Sequence, residues 1–195
     1  MVNVQKILEQ LVGNAQALVE AMAEHYEEFA GARNRYERAM EVLDRELDPK
    51  GSPTVQEEME AIKQQTLSTL IFSGFLGLQA NLENFINPVA GNFLNAETEA
   101  YLRENTACRL PDYASAQQVR DRFYRRLSPA QREVYGEVIS YTSCMETVAP
   151  KLAHYYGYLL GNALLYRIIP GYHHDAAQTA KYTMLLEDYF GKVFP

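Results

Sequence analysis

The sequence predicts an all-α protein: a helical bundle with a long N-terminal antiparallel α-hairpin over about 3–87 and shorter C-terminal helices over 95–192. Three observations carry this. Apolar residues recur at steps of three and four along the first fifty positions. Helix-capping signatures punctuate the chain. No segment carries a convincing strand pattern. At 195 residues with 47% hydrophobic content, the chain is long enough for one domain with a real core and short for two, so 1–195 is read as a single domain.

The first helix shows its inner face plainly. Val4, Leu8, Leu11, Ala15, Leu18, Met22, Tyr26, Phe29, Ala32, Tyr36, Met40, Leu43 and Leu47 stay in phase. Up to Met22 the steps alternate four and three as in a coiled-coil seam, and the extra four from Met22 to Tyr26 relaxes that pattern. Arg33–Glu37 and Glu41–Arg45 stand at i,i+4 spacing on the outer face. An unbroken helix from Val4 to Leu47 would be ~65 Å long, against a radius of gyration of ~16 Å for a compact chain of this size. A break near Gly13 or Gly31, or an elongated molecule, is therefore expected. An elongated apolar hairpin commonly pairs with a second copy, which points to a homodimer.

The stretch "DPKGSP" is the turn after helix one, and Thr54 with Glu57 forms a capping box that opens helix two. Helix two extends to about Asn87 and becomes apolar on most faces over "LSTLIFSGFLGL", which predicts burial by several neighbours. Asn95 caps a short helix to about Glu104. Capping boxes at Ser115/Gln118 and Ser128/Gln131 open two more, and the second continues to about Ile169 with a kink or break near Pro150. "PG" at 170–171 turns the chain into a last helix ending near Gly191. Neither apolar segment is long enough and free enough of central polar groups to read as a membrane span.

Net charge −7 argues against a nucleic-acid partner, because a phosphate backbone needs clustered cations. The densest basic run, "RDRFYRR" at 120–126, reads as a solvated helix face. Cys108 and Cys144 have no metal spacing and read as two thiols in a reducing compartment, although one disulfide between them is formally allowed. The opening "MVNVQKILEQ" has no signal-peptide pattern, so a cytoplasmic location is expected.

The segment "HYYGYLLGNALLYRIIPGYHHD" at 154–175 holds three of the four histidines. His173 and His174 beside Asp175 are weak metal candidates. Asp175 with Gln178 also makes a helix cap, which leaves the two histidines in a loop and predicts no metal. Glu-x-x-His pairs are missing before both His154 and His25, which disfavours a di-iron bundle. Around 152–169 the helix is apolar on most faces, so its tyrosines read as core. Gly157 and Gly161 form a GxxxG contact for which Gly74 and Gly77 are the reciprocal small surface. His154, Tyr158, Asn162 and Phe75 are the candidate ligand-binding residues. They would enclose an apolar ligand, lipid or haem, between 70–78 and 154–166.

Over Ala153–Leu164, "AHYYGYLLGNAL" resembles the distal-helix pattern of haem oxygenases, with His154, Tyr156, Leu160 and Gly161 at the matching positions. The resemblance implies a haem-ligating histidine on the first helix, and His25 stands as its counterpart. The family's following Gly-rich segment is replaced by "ALLYR", and little chain remains for its later helices. The family is therefore not assigned and no cofactor is expected. The leading expectation is a non-enzymatic interaction or regulatory module acting as a homodimer. Apolar-ligand binding is second, and a metal- or haem-dependent enzyme third.

Overall fold

A computed structural model describes residues 4–25, 27–83, 113–168 and 171–190. These residues form six helices: α1 (Val4–His25), α2 (Glu27–Glu46), α3 (Val55–Glu83), α4 (Tyr113–Arg126), α5 (Pro129–Ile168) and α6 (Ala176–Phe190). Among the described residues there is no strand. The helix expected over 95–104, the end of helix two at Asn87, and Cys108 lie outside them.

The N-terminal stripe is the inner face. Leu11, Ala15, Leu18, Met22, Phe29, Ala32, Tyr36, Met40 and Leu43 are all buried. Gly13 lies inside α1 and Gly31 inside α2, so the helix is not broken at either glycine. Arg33 Nε meets Glu37 Oε1 at 3.0 Å as expected. Arg45 Nε instead donates to the Glu41 carbonyl at 3.1 Å, capping its own helix end rather than pairing with the carboxylate.

Three caps have the expected geometry. Thr54 N donates to Glu57 Oε2 at 2.6 Å, and Glu57 N to Thr54 Oγ1 at 3.2 Å. Ser128 and Gln131 make the same reciprocal pair at 3.0 and 3.3 Å. Asp175 Oδ1 accepts from Gln178 N at 3.0 Å. Each satisfies amide groups that the first helical turn leaves unpaired. Ser115 lies inside α4, which is already helical at Tyr113. Nor does Pro150 end α5: the helix continues through it over 40 residues. A proline lacks the N–H that would reach the carbonyl four residues back. Here that residue is Glu146, exposed on the surface where water can serve the carbonyl.

α3 and α5 form the central pair. They run parallel, because contacts advance along both together: Glu58 meets Tyr135, Gly77 meets His154, and Asn81 meets Tyr158. The small residues let the backbones touch. A Cβ on Gly77 would stand 1.9 Å from the His154 carbonyl oxygen, and one on Gly157 would stand 1.8 Å from that of Gly74. α4 lies antiparallel along α3, from Gln65–Gln117 at one end to Pro53–Arg126 at the other. α2 lies antiparallel along α5, where Tyr36 stacks on Tyr141 at 4.6 Å and Arg35 pairs with Glu137 at 3.0 Å. α1 reaches α3, α5 and α6.

This arrangement differs from a simple N-terminal hairpin. α2 and α3 are joined by the short turn but meet only lightly, and the apolar face of α2 is covered mainly by α5. The turn is held from outside, by Arg126 donating to the carbonyls of Asp48, Gly51 and Pro53. The apolar run of α3 is also less enclosed than its composition suggests. Leu67, Leu70, Ile71 and Leu78 are buried, whereas Phe72 and Leu76 face outward.

The glycine contact yields a paired prediction. Gly77→Ala and Gly157→Ala each destabilise the protein by about 3 kcal/mol, because the added methyl meets backbone that cannot turn aside. Gly136→Ala, whose Cβ would meet nothing within 4 Å, is neutral or stabilises by about 0.5–1 kcal/mol. Urea denaturation midpoints check both, and equal effects at Gly77 and Gly136 would refute the close contact.

Candidate functional site

The segments expected to enclose a ligand, 70–78 and 154–166, meet at the glycine contact. At Gly77 and Gly157 the space between them is filled by backbone. The candidate residues there separate into two environments.

Asn162 belongs to a buried polar node with Asn81 and Tyr172, all under a tenth exposed. Asn81 Nδ2 donates to the Tyr158 carbonyl at 2.5 Å and to Asn162 Oδ1 at 2.8 Å. Asn162 Nδ2 donates to Thr179 Oγ1 at 2.9 Å. Tyr172 OH lies 2.9 Å from Asn162 Oδ1 and 3.2 Å from Asn81 Oδ1, and its single proton serves one of them at a time. The node ties α3, α5, α6 and the turn before α6 together. Buried amides are costly unless paired, and here each amide's nitrogen and oxygen has a protein partner.

Tyr158 joins that node through its carbonyl, which accepts from Asn81, whereas His154 and Phe75 stand apart from it. His154 is half-buried, with its ring edge-on to Tyr155 at 6.3 Å and to Tyr182 at 6.1 Å. Tyr182 of α6 stacks on Tyr155 at 4.5 Å and meets Tyr158 edge-on at 4.9 Å. Tyr155 and Tyr158 of α5 thus pack on α6, with ring pairs in favoured geometries. Phe75 is partly buried on α3. The His25 side chain lies outside what the structure describes.

His173 is exposed, and His174 Nδ1 meets the Tyr166 hydroxyl. Among the described residues no group of three or more His, Cys, Asp or Glu is placed to hold a metal ion. No described helix is long and apolar enough to cross a membrane.

A second buried network stands at the other end of the α3–α5 contact. Glu58 is fully buried. Its Oε1 accepts from Tyr135 OH and from Arg120 Nε, the latter at 3.4 Å, while Oε2 has no partner. Arg120 also donates to Gln65, which donates to Gln117. Burial pushes the Glu58 carboxyl above the ordinary carboxylate range, against the opposing pull of Tyr135 and Arg120. Burial, then the Glu58 charge, raises the Tyr135 phenol. Arg120 and Arg126 of the basic run are therefore inward-reaching structural residues, while Arg122 and Arg125 face solvent. Periodicity carried the signal for this network. Glu58 falls in the Val55–Ile62–Gln65 phase of α3, and Arg120 in the Ala116–Phe123–Leu127 phase of α4.

A groove of about 440 Å³ lies between α2 and α3. The end of α1 closes one side and Tyr141 of α5 contributes to its floor. Val19, Tyr36, Met59, Ile62 and Leu67 supply the apolar lining, and Glu20, Arg33, Glu37, Glu60 and Lys63 the charged rim. It occupies the place where a tight α2–α3 hairpin would have had its seam. Comparison with protein-family models, curated proteins and solved structures found no match to this chain.

Two expectations follow. Asn81→Ala and Asn162→Ala each cost about 2–3 kcal/mol, since each leaves buried partners unpaired. The double variant costs less than the sum by about 1 kcal/mol, and a chemical-denaturation cycle showing full additivity would exclude the node. Burial also holds the His154 pKa below its ordinary 6.5. The unfolded chain then takes up this proton more readily than the folded one. Stability falls as pH drops from about 6.5 through the folded-state value, and the loss is complete below it. His154→Gln flattens that part of the stability–pH curve, as read from urea midpoints at intervals between pH 7.5 and 5.

Proposed function

We propose that the chain is a helical interaction module that works as a homodimer. The observation that carries this is on α3. Phe72 is 61% exposed and Leu76 41%, one helical turn apart on the same face. They sit in the middle of a helix whose neighbouring positions Leu70, Ile71, Gly74 and Leu78 are buried. An aromatic and an aliphatic side chain held side by side in water gain from being covered. A two-fold axis across this face would place the pair of one protomer against that of its partner, as an isologous interface does. The interior polar groups support a binding role over catalysis, because Asn81 is engaged with Asn162, and Glu58 with Arg120 and Tyr135.

Light scattering after size exclusion tests the proposal. The wild-type chain should elute at twice its chain mass, and the Phe72→Glu, Leu76→Lys double variant at the chain mass with unchanged far-UV circular dichroism. A wild-type monomer at tens of micromolar overturns the homodimer, and so does a double variant that stays dimeric.

A further inference from the structure

We infer that the groove between α2 and α3 is a binding site for a cationic amphiphile, an apolar chain carrying an ammonium head. Its volume, about 440 Å³, lies within the ~300–1,000 Å³ of clefts that hold small molecules. Its depth is apolar, with Met59, Ile62 and Leu67 on α3 facing Tyr36 on α2. Such a lining suits a hydrocarbon body.

The rim decides the head group. Three carboxylates, Glu20, Glu37 and Glu60, stand against two cations, Arg33 and Lys63, leaving one net negative charge. The α1 and α3 walls each contribute a carboxylate that Arg33 does not hold, Glu20 and Glu60, so an ammonium at the mouth meets negative charge from two helices. Arg33 and Glu37 pair at 3.0 Å and offset each other, which leaves Glu20 and Glu60 against Lys63 and the same one net negative charge. Tyr36 and Tyr141, stacked at 17° between ring planes and both buried, extend the apolar depth that receives the hydrocarbon body. A fatty acid has the same body, and on this rim its charge has the wrong sign.

The site is separate from the outward face of α3. Phe72 and Leu76 do not line the groove, so the Phe72→Glu, Leu76→Lys chain binds the amphiphile as the wild type does, whatever its oligomeric state.

The test compares decyltrimethylammonium with decanoate, each below its micellar concentration, by calorimetric titration of the full chain. The chain has 14 tyrosines and no tryptophan, so tyrosine emission gives a second readout. Saturable binding of the ammonium compound is expected, weakening as salt is raised. Decanoate should bind far more weakly. Glu20→Lys with Glu60→Lys, both at exposed positions, should reduce ammonium affinity by roughly tenfold and improve that for decanoate. Thr66→Trp, which fills the groove from α3, should abolish binding. If it fails to fold, the two surface charge reversals still carry the test. Absence of saturation, preference for decanoate by the wild type, or an affinity indifferent to the charge reversals would each overturn the assignment.

Discussion

The structure depends on one close approach, the backbone contact between α3 and α5 at Gly74, Gly77 and Gly157. Two helices that meet through side chains keep their axes roughly 8–10 Å apart. Where glycine removes the side chains, the approach is limited by carbonyl oxygens instead. α3 and α5 thereby become a single two-helix slab, and the remaining helices add to its faces. α4 covers α3, α2 covers α5, and α6 packs its tyrosine on the aromatic side of α5. The pairing is parallel, so the 128 end of α5 and the 55 end of α3 lie together. α4 runs back along α3 as its antiparallel neighbour and leads into the start of α5.

A contact between small residues specifies distance well and axial register poorly, because glycines offer little relief to interlock. The polar residues supply the register. Glu58–Tyr135 and Asn81–Tyr158 each join positions 77 apart in sequence. They lie ~35 Å apart along α3. A slide by one turn would break both, stranding a buried carboxylate at one end and two buried amides at the other. Polar groups inside the bundle therefore act as pins. They cost solvation when folded, and they make every alternative register cost more.

Much of this was legible in the sequence. The all-α class, the inner face from Leu11 to Leu43, three of the four capping boxes and the glycine partners on α3 and α5 follow from local rules, and local rules are what one chain displays. The partner of α2 was not legible. A short turn such as "DPKGSP" constrains which helix follows, and leaves open which neighbour an apolar face will choose. Tyr36 and Phe29 find Tyr141, more than a hundred residues away, because α5 offers an aromatic surface there. Pro150 was legible as a missing donor, but its consequence depends on whether the freed carbonyl can reach water. Asn162 was correctly singled out as buried and polar. Its partners Asn81, Thr179 and Tyr172 come from three other parts of the chain, and only the packed structure shows that they satisfy it.

The groove is a consequence of the same slab. α3 presents one side to α5 and another to α4, and the glycine contact draws α3 in tightly. α2 is anchored to α5 by the Tyr36–Tyr141 stack and the Arg35–Glu137 pair, both of which hold it towards the α5 side. The turn from Asp48 to Pro53 brings α2 and α3 together at one end, where Arg126 fixes it. Beyond the turn the two helices have different partners, so their shared side is left unfilled. Filling it would have required larger residues at positions such as Thr66 and Val19. The sequence instead places modest apolar side chains in the depth and charges at the lip, so the concavity remains open to solvent on one side and apolar within.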